Sequence, residues 1–191
     1  MEALLAEESD SGFQALYGTH GFLCEVLRLR GDLPGALAHG RRAVALAEER
    51  GSAFSRVEAA AFLGSAELAA GDVTAATSAL STALALARKR RTALWYEPRI
   101  LATLADARLA AGEHSAARAL LSDARDSIGR GRGWRLSACD VGLAHVRLLA
   151  SEPVLDRAAV ARALEAVDAL ATEMGAEAYR RMVDVERASN D

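Results

Sequence analysis

One figure recurs four times along this chain, and it constrains the fold more than any other feature. Gly-acidic pairs stand at Gly31-Asp32, Gly71-Asp72 and Gly112-Glu113, and Ser151-Glu152 continues the series at nearly the same spacing. Eight residues before each pair stands a leucine (Leu23, Leu63, Leu104, Leu143), followed at once by a small residue (Cys24, Gly64, Ala105, Ala144). Three copies place an alanine five residues beyond the glycine (Ala36, Ala76, Ala117) and another seven further on (Ala43, Ala83, Ala124). Three copies also put an aromatic at one fixed distance ahead of the turn: Phe54, Trp95 and Trp134.

Each part of the figure has a physical reason. Glycine ends a helix by entering the left-handed region without steric cost. The acidic residue after it caps the next helix and complements its positive N-terminal dipole. Pro34 stands near the start of such a helix, where a missing N–H does no harm. Small residues fall where two helix backbones approach closely, and leucines fill the space between. Helices of about 18 residues joined by two- or three-residue turns pack as antiparallel hairpins. One hairpin cannot bury both of its apolar faces, so neighbours stack into a solenoid.

Composition agrees. Of 191 residues 51% are hydrophobic, which is too apolar for a disordered chain, and the mixture is dominated by helix formers with almost no strand-type alternation. The expected class is all-α. Cys24 and Cys139 lie far apart with no metal-type spacing, so both are expected to be reduced, buried thiols. The opening "MEALLAEESDSG" has neither the basic start nor the apolar core of a signal peptide, and no apolar run approaches the roughly 18 residues of a membrane span. The expectation is a cytoplasmic protein. Lys89 is the only lysine and Asn190 the only asparagine, a bias that fits a GC-rich bacterial genome.

The order Leu-small, Gly-acidic, Ala-x6-Ala resembles the tetratricopeptide repeat, a helix-turn-helix unit of ~34 residues. The period here is longer. In this it is similar to the long-helix arrays of bacterial signal-transduction ATPases, LuxR/MalT-type regulators and adenylate/guanylate cyclases, whose texture "WYEPRILATLADARLAAGE" and "GAEAYRRMVDVERASND" share. HEAT-type repeats have a period of ~40–47 residues but do not predict the Leu-small and Gly-acidic figure. The resemblance implies a right-handed α-solenoid of antiparallel hairpins with a period of about 40 residues. Its hairpins are expected at 12–51, 52–91, 92–133 and 134–175, after a tail or remnant helix over 1–11 and before a capping helix and tail over 176–191.

Little in the chain points to catalysis, a cofactor or a metal. His20, His39, His114 and His145 have no carboxylate, histidine or cysteine at ligand spacing. No G-x-S-x-G elbow occurs. The alternating glycines of "SIGRGRGW" follow a helix, whereas a phosphate-cradling loop needs a strand before it. The strongest charge feature is Arg88-Lys89-Arg90-Arg91, with Arg130, Arg132 and Arg135 a repeat later. It suits a basic ridge for nucleic acid, phosphate or an acidic partner, but better suits cations at helix C-termini, where the dipole favours them. The net charge of −3 and the absence of aromatics within Arg88–Arg91 disfavour nucleic acid.

Tetratricopeptide arrays bind peptides on the concave face formed by their first helices. The resemblance implies groove-facing positions at Glu25, Arg28, Glu58, Ser65, Arg99, Asp106, Val141 and His145. The lysine and asparagine clamp of chaperone-binding arrays has no counterpart. The expected function is a non-catalytic scaffold for a protein or peptide partner. The alternative is the C-terminal regulatory segment of a multidomain ATPase, nucleotide cyclase or transcriptional activator, its partners being the other domains of that parent chain. A homodimer through an uncapped N-terminal end is a further expectation.

Overall fold

The computed structural model describes the backbone from Glu2 to Asn190 and the side chains from Leu16 to Asn190. Among the described residues there are nine α-helices, one 3-10 turn and no strand. Within each of the chain's two units, helices adjacent in sequence pack on one another, an arrangement compatible with a helical repeat. The chain divides into two compact units, Met1–Ala93 and Leu94–Asp191.

The first unit holds α1 (Glu2–Leu29), α2 (Leu33–Arg50), α3 (Ala53–Ala69) and α4 (Val73–Arg90). Besides its sequence neighbour α2, α1 also packs on α3, its counterpart one register later. The helix α1 runs without a break from Glu2 to Leu29.

The turn between α3 and α4 shows why the Gly-acidic pair is there. Gly71 sits at φ +87°, a conformation costly for any residue with a Cβ. This lets its N–H reach the carbonyl of Leu68 at 3.0 Å and the Asp72 N–H that of Glu67 at 2.9 Å, satisfying two of the last carbonyls of α3. The Asp72 carboxylate then accepts from the Ala75 N–H at 2.9 Å and starts α4. Gly31 and Asp32 make the same bonds between α1 and α2. The end of α4 is different: Arg91, at φ 51°, occupies the left-handed seat that glycine takes elsewhere.

Packing in this unit runs on small residues. A Cβ at Gly64 would lie 2.6 Å from Leu80 Cγ, so the glycine lets α3 and α4 close on a leucine that is itself fully buried. On α2, Gly40, Ala43 and Ala47 form a ridge facing α3, with Gly40 against Leu63 and the two alanines beside Ala59.

The second unit begins with the 3-10 turn Leu94–Tyr96 and continues through α5 (Glu97–Ala110), α6 (His114–Gly129), α7 (Arg135–Ala150), α8 (Arg157–Glu173) and α9 (Glu177–Asn190). Again α5 packs on α7, and α7 on α9. Two caps depart from the expected figure. Glu113 precedes α6 without capping it, its carboxylate held instead by Arg108 at 2.9 Å. The cap of α8 is Asp156, four residues past Glu152, and Glu152 pairs with Arg118. The inserted "SEPVLD" moves the helix start and carries the cap with it. Tyr179 and Val183 of α9 join a core with Leu143 of α7 and Leu164 and Val167 of α8.

Both cysteines are buried thiols outside any disulfide. Burial, reinforced by Asp140 alongside, pushes the Cys139 thiol up to about 11, which suits an inert packing role. No helix among the described residues is long and apolar enough to cross a membrane.

Candidate binding surface

The positions implied for the groove lie on α1, α3, α5 and α7, and the structure treats them unequally. In the first unit Glu25 and Arg28, one turn apart, lock together through two hydrogen bonds of 2.9 and 3.0 Å, each side chain 13% exposed. Glu58 is buried next to the Tyr17 hydroxyl, and burial raises that phenol above its ordinary range. Ser65 is also buried and donates to the Ala61 carbonyl at 2.9 Å.

In the second unit Asp106, on α5, belongs to a chain of charges across three helices. Arg147 on α7 donates from Nη1 to Asp106 Oδ2 at 2.6 Å and from Nε to Glu186 Oε1 on α9 at 2.5 Å. Two turns earlier on α7, Asp140 accepts from the Tyr179 hydroxyl of α9 at 2.8 Å. Asp106 Oδ1 is buried with no hydrogen-bond partner among the described residues. Burial raises the Asp106 carboxyl from 3.8 to about 6; Arg147 opposes this and the charges of Glu186 and Asp140 add to it. Asp106 and Glu186 thus share one guanidinium, and Asp140 lies close enough to add its charge to theirs.

The remaining positions divide. Arg99 is half-buried on α5, its carbonyl accepting from Thr103. Val141 is buried. His145 lines a recess of about 200 Å³ between α7 and α8 with Ala138, Gly142 and Val167. Burial there, and Arg125 nearby, lower its pKa, so the neutral imidazole is favoured.

The four cations Arg88, Lys89, Arg90 and Arg91 are exposed at the C-terminal end of α4, the end of the helix dipole that favours them. Two of the arginines placed a repeat later are engaged in pairs. Arg132 binds Glu97 at 2.5 Å, a carboxylate 1% exposed that also accepts from Ser127, and Arg135 pairs with Glu173 at 2.7 Å. Of the aromatic stripe, Trp95 and Trp134 are 38% and 52% exposed and flank the buried Tyr96, with ring centroids 6.2 and 5.6 Å from it.

Sequence reasoning missed several of these groups. Arg147, Glu186 and Asp140 were not among the implied groove residues, because the resemblance supplies one row of positions and long side chains reach across from neighbouring rows. Buried Glu97 lay behind the Trp95-Tyr96 pair; its only sequence signal is an acid beside Pro98 at a helix start. His39, which has no partner at ligand spacing in the sequence, meets His20 across α1 and α2 with the two Nδ1 atoms 2.9 Å apart. No group of three or more His, Cys, Asp or Glu suited to a metal ion occurs among the described residues.

Compared with protein-family models, with curated proteins and with solved structures, the chain matches none of them.

Proposed function

We propose that this chain is a non-catalytic helical-repeat scaffold, a tetratricopeptide-like solenoid of antiparallel hairpins that holds a protein or peptide partner on the face of its first helices. The observation that carries the reading is the recurrence of one turn. The two-bond closure on a left-handed glycine returns at Gly31, Gly71 and Gly112, and each time a helix starts two residues later. A chain that repeats one turn at one spacing is built by stacking equivalent units, and such stacks serve as extended binding surfaces.

The chemistry of that face supports a peptide rather than a small apolar ligand. Its polar groups are ionised pairs on neighbouring turns and helices, Glu25 with Arg28 and Arg147 with Asp106 and Glu186. Rigidly held charges give specificity and orientation to a bound segment.

Affinity capture from the source lysate, read by mass spectrometry, tests this with the double variant Arg28→Glu, Arg99→Glu as control. A partner captured by the native chain and lost with the folded variant supports the groove. Partners that bind both proteins equally would remove function from this face.

A further inference from the structure

His20 on α1 and His39 on α2 stand 19 residues apart in the chain, and the packing of the two helices brings their rings together. The Nδ1 atoms are 2.9 Å apart, the ring centroids 5.0 Å apart, and the ring planes are inclined by 35°. Nitrogens at this distance share a single hydrogen, one donating it and the other accepting through its lone pair. Both rings are partly exposed, so an ion in solution reaches them.

The backbones beneath the pair are held in place. One turn beyond His20, Cys24 is fully buried, and a Cβ at Gly40, the neighbour of His39, would lie 3.0 Å from its Sγ. The glycine lets α1 and α2 close at the level of the two rings. Ala36, three residues before His39, is fully buried as well. Donors positioned in advance by packed helices chelate an ion without the cost of ordering a loop.

Neutral imidazole is the commonest metal ligand in proteins, and here two rings present the same nitrogen to each other. An ion bonded to both at about 2.0 Å would see nitrogens 2.9 Å apart at an angle of roughly 93°. Tetrahedral ligands at that bond length stand about 3.3 Å apart, so the spacing suits the right-angled positions of a square-planar or octahedral ion better. Among nitrogen-preferring ions those geometries belong to Ni²⁺ and Cu²⁺. Binding releases no proton from the neutral pair. The shared hydrogen leaves Nδ1 and returns through water to Nε2 of the same ring, and each imidazole keeps one N–H. Burial foremost, then the charges of His39 and Arg42, lower the His20 pKa and keep a second proton off that ring. Arg42 is exposed, so water and salt screen its repulsion of a cation.

We propose that His20 and His39 form a two-nitrogen site for a divalent ion of the Ni²⁺ and Cu²⁺ type, which ties α1 to α2. No third His, Cys, Asp or Glu joins them in a metal-binding group among the described residues, so water takes the remaining positions. The site goes beyond the partner-binding face and does not depend on it.

Calorimetric titration of the untagged chain with nickel chloride at pH 7.5, in a buffer that does not coordinate metal, tests it. His20→Gln and His39→Gln remove one ligand each, and His114→Gln and His145→Gln are the controls. The native chain and both controls are expected to bind one equivalent with a dissociation constant on the order of 10–100 µM. Either pair variant should bind at least about tenfold more weakly, because the second imidazole no longer acts at high effective concentration. Saturating Ni²⁺ should also raise the thermal midpoint of the native chain and leave that of the pair variants in place, since the bridging ion binds only the folded helices. Should a glutamine variant lose its helical circular dichroism, paramagnetic broadening of imidazole signals by Ni²⁺ in the native chain decides instead. Broadening centred on His20 and His39 supports the site. Broadening centred on His114 or His145 overturns it. So does a native chain with no saturable binding up to about 1 mM, or binding unchanged by His20→Gln or by His39→Gln.

Discussion

At the scale of single residues, the chain shows where local chemistry obeys the repeat and where it strains against it. Arg91 holds the left-handed conformation that Gly31 and Gly71 hold in their turns. For a residue with a Cβ this costs about 1 kcal/mol. Arg91→Gly is accordingly expected to raise stability by roughly 0.5–1 kcal/mol in urea unfolding, the gain reduced by the extra freedom of glycine in the unfolded chain. A destabilised variant would mean that the Arg91 side chain contributes more than its backbone costs. Asp106 gives a pH signature. Its carboxyl is raised from 3.8 to about 6 when folded, so between these values the folded state keeps a proton that the unfolded state has released. The contribution of this group to stability therefore falls as pH rises through that window and is level above it. Against Asp106→Asn, whose side chain does not titrate, the native chain should lose stability from about pH 4 to about pH 6 and run parallel beyond. Parallel curves throughout would refute the raised carboxyl.

At the scale of elements, the turns were legible and the long-range polar contacts were not. Gly71 followed by Asp72 is a local signal, because a left-handed glycine and a capping carboxylate act on residues at most five positions away. The shift of the α8 cap from Glu152 to Asp156 was not legible, because an inserted loop breaks the spacing that located the other caps. Nor was the Arg147 bridge: Glu186 lies 39 residues beyond it, and no local rule connects the two. The small residue in the Leu-small pair correctly marked close approach, and that can be measured. Leu80→Ala should cost about 2–5 kcal/mol by opening a cavity. Gly64→Ala should cost roughly 1–3 kcal/mol, since its new methyl would overlap Leu80. Combined, the two should cost less than their sum, because the smaller side chain makes room for the methyl. Strict additivity in a double-mutant cycle would show that the two positions do not meet.

At the scale of the whole molecule, the account rests on the equivalence of helix pairs one period apart in the chain. Each of the two units contains helices that pack on their sequence neighbour and on the helix after next, as stacked hairpins do. In such a chain a unit contributes its own stability and that of its two interfaces, and removing one whole period leaves the remaining interfaces in kind. The most direct measurement is thermal unfolding, followed by circular dichroism, of a chain lacking residues 52–91, one complete period, beside a chain lacking 62–81, which removes the turn and half of each flanking helix. The repeat account expects a cooperative transition, with undiminished helicity per residue, in the first chain, and its loss in the second. A first chain that fails to unfold cooperatively while the native chain does so would contradict the equivalence of the helix pairs, and with it the scaffold reading.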